Sequence, residues 1–175
     1  MTRLSKGYVQ VYTGDGKGKT TAALGLAVRA AGAGLKVFIA QFVKGMAYAE
    51  HESLKKLSDN ITIRQYGRDC FIVNKPEQED IDMARAGLQE VEDKIESGAY
   101  DLVILDEANI ATYFNLFKVD DLLRLIDNKP EHVELVITGR KAEPRLLERA
   151  DLITEMQEIK HYYNNGVAAR GGIEM

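Results

Sequence analysis

The sequence predicts an α/β fold, a three-layer sandwich around a mostly parallel sheet. Two observations predict it. Short β-rich runs alternate with helical runs along the chain, the order that builds a parallel sheet covered on both faces. The run Leu102-Val103-Ile104-Leu105 is apolar without a break, the mark of a strand buried on both sides.

The elements follow in order. Tyr8 to Tyr12 is β-rich and ends in a glycine cluster. Thr20 to Ala33 is rich in Ala and Leu and stops at Gly32 and Gly34, as a helix with a glycine C-cap does. Lys36 to Phe42 carries Val37, Phe38 and Ile39, a buried strand type. Ile61 to Tyr66 alternates, which predicts an outer or edge strand. Pro76 to Ser97 reads as a long amphipathic helix, with Pro76 in its first turn and Gly98 at its end. Its apolar residues Ile81, Ala84, Leu88, Val91 and Ile95 recur every three or four positions and share one face. Val119 to Asp127 is helical, Val133 to Ile137 is a strand, Glu143 to Arg149 is a short helix, and Leu152 to Thr154 is a last strand. Ligands of such sheets bind at the carboxyl ends of the strands. Strand order is not readable from these patterns.

Composition sets the outer bounds. The chain has 175 residues, which predicts a single domain over 1–175. Hydrophobic residues make up 45% and charged residues 29%, an ordinary globular balance. The formal net charge of −4 argues against a broad nucleic-acid-binding face. One cysteine, Cys70, excludes an internal disulfide and argues against a Cys-based zinc site. Together with the lack of a secretory pattern it predicts a cytoplasmic protein, and no apolar run is long enough for a membrane span. Tryptophan is absent.

The sharpest motif is Thr13-Gly14-Asp15-Gly16-Lys17-Gly18-Lys19-Thr20-Thr21, between a predicted strand and a predicted helix. Its glycines let backbone N–H groups approach an anion, and the helix N-terminus adds partial positive charge. Lys19 is expected to neutralise phosphate oxygens and Thr20 to ligate Mg²⁺. Thr13 stands where the usual spacing has the first glycine, and Lys17 adds a second cation. The second motif is Leu102-Val103-Ile104-Leu105-Asp106-Glu107, an apolar strand ending in two carboxylates, which supplies metal contacts directly or through water. The two acids point to different sides if the strand persists. Both motifs fall at one sheet edge, so Thr20, Asp106 and Glu107 are candidate metal ligands. The expected fold is therefore a P-loop (RecA-like) three-layer sandwich.

Further blocks narrow the reading. Arg29-Ala30-Ala31-Gly32, Gln41-Phe42-Val43-Lys44-Gly45, Leu105-Asp106-Glu107 and Thr138-Gly139-Arg140 are followed by Thr154-Glu155-Met156, Ile159-Lys160-His161 and Gly172-Ile173-Glu174. In this order and spacing, with the loop, they closely resemble the ATP:corrinoid adenosyltransferases of the CobA/BtuR/CobO type, over nearly the whole chain. The resemblance implies attack of corrinoid Co(I) on the 5′ carbon of ATP, with triphosphate as leaving group. It implies ATP, Mg²⁺ (or Mn²⁺) and a corrinoid as cofactor and substrates. It also implies a homodimer and an external reductant, of flavoprotein type. Such chemistry needs no protein nucleophile, and no Ser/His or Cys/His constellation is found.

By the same resemblance, residues Gly14 to Thr21 bind phosphates, with Lys19, Lys17 and Glu107 as the catalytic set. Glu107 reaches Mg²⁺ and Asp106 supports it. Arg29 contacts the nucleotide, Gln41 and Lys44 line the corrinoid face, and Arg140 contacts phosphate or a carboxylate. Phe71 and Ile72 stand where some relatives place a Phe and a Trp that displace the corrinoid's lower axial ligand. Met46 and Tyr48 sit in a loop that could face the corrin ring. Only Met1 to Gly7 precede the first strand, so the N-terminal lid of some relatives is expected to be largely missing or to come from elsewhere. Three other readings share the two motifs: a RecA-like ATPase, a small kinase of the thymidine-kinase type, and a nucleotide-binding regulatory module.

Overall fold

The computed structural model describes residues 3–45, 49–57, 59–68 and 75–174. Its strands are β1 (Val9–Thr13), β2 (Val37–Phe42), β3 (Ile61–Tyr66), β4 (Leu102–Asp106), β5 (Glu134–Thr138) and β6 (Leu152–Glu155). They form one sheet in the order β3-β2-β4-β5-β1-β6, with every pairing parallel. The alternating run Ile61 to Tyr66 is an edge strand, as its pattern predicts.

The helices are α1 (Lys19–Gly32), α2 (Ala49–Leu57), α3 (Gln78–Glu96), α4 (Ala108–Tyr113), α5 (Val119–Asn128) and α6 (Pro144–Arg149). They divide between the two faces. Ala23, Ala27 and Ala30 of α1 and Leu54 of α2 pack on Val37, Ile39, Leu102, Ile104 and Val136. Helices α3 to α6 cover the other face, where Ala84, Val91, Ala111, Leu122 and Leu146 meet Phe38, Val103, Leu105, Leu135 and Ile137. This is the expected three-layer sandwich.

The helices that the sequence predicts lie within two residues of their expected bounds, and side-chain anchors set the starts of α3 and α6. Helix α3 starts at Gln78, with Glu77 as N-cap, so Pro76 lies before the helix and not in its first turn. The Asp80 carboxylate accepts from the Glu77 N–H at 2.8 Å and is gripped by Arg68 at 2.7 and 2.8 Å, which holds its pKa below the usual carboxylate range. That anchor fixes the start of the helix two residues after the proline. Helix α6 begins at Pro144, with Glu143 capping it by accepting from the Arg145 N–H at 2.7 Å. Helix α1 ends as expected: Gly34 has φ +82°, and Leu35 N–H reaches back to Ala30 O at 3.0 Å.

The carboxyl edge of the sheet is built from sharp turns. The residue after β1 is Gly14 (φ +90°), after β2 Val43 (φ 58°), after β4 Glu107 (φ 59°) and after β5 Gly139 (φ +128°). For Val43 and Glu107 a left-handed backbone costs about 1–3 kcal/mol each. Packing holds the first of these turns. Phe42, wholly buried, has its ring 5.2 Å from Phe117 and 5.7 Å from Tyr66. Burying such a ring contributes roughly 1.5–3 kcal/mol, enough to offset the strain beside it.

Candidate active site

The α1-facing rows of three neighbouring strands pass from apolar residues to a polar last member. Val37 and Ile39 on β2, Leu102 and Ile104 on β4, and Val136 on β5 pack under α1 and α2. The period of two then brings Gln41, Asp106 and Thr138 to the same face at the carboxyl edge. All three are buried, and Gln41 lies in register with Asp106. Asp106 is their centre. Its Oδ1 accepts from Thr138 Oγ1 at 2.7 Å and Thr20 Oγ1 at 2.9 Å. Its Oδ2 accepts from Lys44 Nζ at 2.7 Å and Gln41 Nε2 at 3.1 Å. Four donors on a side chain only 1% exposed satisfy a carboxylate that burial alone would disfavour.

The phosphate loop closes on this cluster. Gly14 adopts φ +90°, and a Cβ there would lie 2.4 Å from Met156 O. A Cβ on Gly16 would lie 2.7 Å from the same oxygen, which accepts the Gly16 N–H at 2.6 Å. The chain after β6 thus forms one wall of the loop, an arrangement only glycine accommodates. Lys19 is buried at the start of α1 and donates to Gly14 O at 2.7 Å and Gly16 O at 2.6 Å. Burial pushes its pKa below the ordinary lysine value. A phosphate entering the loop offers Lys19 charged acceptors, which bind more strongly than two carbonyls.

Glu107 follows Asp106 at a left-handed turn, so strand geometry does not continue through the pair and does not decide where Glu107 points. Its N–H donates to Thr138 Oγ1 at 3.1 Å, and its Oε2 lies 3.2 Å from where a Cβ on Gly139 would be. Burial and, second, the charge of Asp106 raise its pKa, against the pull of Lys44, Lys19 and Arg140. A carboxylate held at such a cost is one that a cation would stabilise.

The donor set fits a hard divalent cation. Thr20 Oγ1 and Asp106 Oδ1 are 2.9 Å apart, close to the edge of an octahedron with metal–oxygen bonds of about 2.1 Å. The Lys44 ammonium sits beside both residues, 3.2 Å from Thr20 Oγ1 and 2.7 Å from Asp106 Oδ2, a positive charge where a metal would add its own. Among the described residues no three His, Cys, Asp or Glu side chains converge to cage a metal alone. Mg²⁺ characteristically takes one or two protein oxygens and completes its shell with phosphate and water.

The other expected residues are distributed unevenly. Thr13 accepts the Ala142 N–H on its Oγ1 at 3.4 Å, while Asp15 and Thr21 are exposed. Arg140 is exposed after β5, near enough to act electrostatically on Lys19 and Glu107. Gln41 is wholly buried and turned to Asp106, not lining an open face. Lys17 is drawn off the loop centre, donating to Tyr162 OH at 3.2 Å, Ile173 O at 3.0 Å and Glu174 Oε1 at 2.9 Å. Arg29 is exposed in the last turn of α1, about 15 Å along the helix from Lys19 at 1.5 Å per residue, so the chain does not bring it to the loop. Phe71, with Cys70, Ile72, Met46 and Tyr48, lies outside the described residues. Sequence reasoning missed Thr138, His51 and Met156 as parts of the site. The first could have been found by extending the period-two pattern of its strand.

A glycine loop opening a helix beside an acidic strand end, at the carboxyl edge of a parallel sheet, is the arrangement expected of the P-loop nucleotide-binding class. Residues 5–175 match the family described as ATP:corrinoid adenosyltransferase BtuR/CobO/CobP, and the chain belongs to that family. A corrinoid adenosyltransferase of Pseudomonas aeruginosa is 34% identical over 173 residues, covering 98% of this chain and 85% of that protein. One from Sinorhizobium sp is 35% identical over 172 residues, covering 97% and 80%. The corrinoid adenosyltransferase CobA of Salmonella typhimurium is 31% identical over 170 residues, covering 97% and 86%. Among the described residues no helix is long and apolar enough to cross a membrane.

Proposed function

We propose that this chain transfers the 5′-deoxyadenosyl group of ATP to the Co(I) centre of a corrinoid, in adenosylcobalamin biosynthesis or salvage. The family match over residues 5–175 carries this reading. Cobalt donates an electron pair to C5′ and forms the Co–C bond. The C5′–O bond breaks, and its electrons leave on triphosphate. The protein supplies orientation and charge, not a nucleophile.

The residues have the means for both. The backbone from Gly14 to Thr21 and the Lys19 ammonium bind the triphosphate, with Lys17 and Arg140 adding charge at its rim. Thr20, Asp106 and Glu107 would hold Mg²⁺ or Mn²⁺, with Thr20 Oγ1 and Asp106 Oδ1 2.9 Å apart. Bound there, the cation neutralises triphosphate oxygens as negative charge gathers on them. Lys44, after the β2 turn, counters the charge of Asp106 until that cation arrives. Phe71 retains the corrinoid role that the family resemblance gives it. A homodimer in the cytoplasm, fed by an external flavoprotein-type reductant, completes the proposal.

The test is direct. The chain, Mg-ATP and chemically reduced Co(I) corrinoid should give a light-sensitive adenosyl-corrinoid spectrum. An unchanged corrinoid spectrum, with ATP bound and cobalt held at Co(I), would contradict it.

A further inference from the structure

An amide at the closed end of a strand needs something to decide which way it faces. Gln41 is 0% exposed and its two ends are not equivalent, since NH₂ only donates and C=O only accepts. The end toward Asp106 lies 3.1 Å from Oδ2. An ionised carboxylate only accepts, so that end is the NH₂. The carbonyl Oε1 then faces the opposite way, where His51 Nε2 lies 2.6 Å from it. An amide oxygen cannot donate, so His51 must carry a proton on Nε2 to make this contact. His51 is itself buried, 8% exposed, on α2, the helix that follows the β2 turn.

We propose that His51 is a positioning residue for the metal-side carboxylate. Its Nε2–H fixes the flip of the Gln41 amide, and the amide holds Asp106 Oδ2 so that Oδ1 stays with Thr20 and Thr138. Without that donor the Gln41 Oε1 is left buried and unpaired, and the amide shifts from Asp106 to find another donor for it. The carboxylate then loses one of its four donors and rotates toward Lys44, drawing Oδ1 away from the Thr20 hydroxyl. The inference rests on the proposed role of Thr20 and Asp106 at a divalent cation.

The experiment measures Mn²⁺ affinity by electron paramagnetic resonance, with inorganic tripolyphosphate on the loop and no corrinoid present. Four variants are compared with the unaltered chain. His51→Gln keeps an N–H donor at the Nε2 position. His51→Leu removes it at similar volume. His51→Asn keeps polarity but is too short to reach Gln41, and it serves if the Leu variant does not melt cooperatively. Asp106→Asn is the control for the cation site. His51→Leu or His51→Asn should weaken Mn²⁺ binding roughly tenfold, the low end of the 10–100-fold effect of partners behind metal ligands. His51→Gln should stay within about threefold, because it restores the hydrogen bond. If Asp106→Asn weakens Mn²⁺ binding while all three His51 variants bind like the unaltered chain, His51 only packs and the inference is overturned. If Asp106→Asn itself leaves Mn²⁺ affinity unchanged, the reading of Asp106 has failed, and the role of His51 falls with it.

Discussion

Lys44 and Glu107 are the two residues whose behaviour depends most on whether a divalent cation is bound. The Lys44 ammonium lies 2.7 Å from a carboxylate that is only 1% exposed. Breaking a buried ion pair from one side costs roughly 3–5 kcal/mol, and three neutral donors on Asp106 should keep the cost near the lower end. Lys44→Met is therefore expected to lower the melting temperature of the metal-free chain. It should also enlarge the stabilisation gained on adding Mg²⁺ with tripolyphosphate. Equal gains in both proteins would show that Lys44 does not share the cation's position. Glu107 has a raised pKa in the folded chain, chiefly from burial. A raised carboxyl favours folding while it is protonated, and that contribution is lost as pH rises through its folded value. Glu107→Gln should therefore stabilise the metal-free chain at neutral pH, with the difference closing as pH falls below the ordinary carboxylate range. Melting curves that run parallel across that window would contradict it. Lys19, Thr20 and Asp106 were legible in the sequence because the motif spacing names them. His51 was not, because its role appears only once β2 is known to lie beside β4 and α2 to cover that edge.

At the scale of elements, the loop and the chain after β6 depend on each other. Gly16 donates to Met156 O at 2.6 Å, and Met156 N–H donates to Thr13 O at 2.9 Å. Gly16→Ala would drive a methyl into the backbone of Met156 and Gln157. Overpacking of this kind costs about 1–3 kcal/mol, so the urea midpoint should fall and ATP affinity should fall with it. An unchanged midpoint would show that the loop and tail do not pack this way. The long helix and the main strands were readable from period and apolar run. Helix α2 was not, since Leu54 and Leu57 are the only large apolar residues in a mostly polar stretch. Helix α4 has six residues, too few for a period to register. The start of α3 is not legible from Pro76, because Arg68, outside the helix, grips Asp80 in its first turn and sets it.

The whole molecule gathers its chemistry at one edge of an acidic chain. Parallel pairing turns the carboxyl ends of all six strands to the same side. The loop after β1 and the polar ends of β2, β4 and β5 therefore meet without a long insertion. The tail brings Tyr162 and Glu174 to the same side through Lys17. The formal charge of −4 is thus a background to a local cluster of Lys17, Lys19, Lys44 and Arg140. The missing tryptophan leaves Phe71 and Ile72 as the apolar candidates for the corrinoid's lower face. Strand order, which no pattern in the sequence displayed, is what joins Gln41, Asp106 and Thr138 into one site. The proposed reaction expels an intact triphosphate instead of cleaving a phosphate bond. Phosphorus NMR of the products from Mg-ATP and Co(I) corrinoid tests it most directly. One triphosphate is expected for each adenosyl-corrinoid formed; ADP and phosphate beside unaltered corrinoid would overturn the adenosyl-transfer reading.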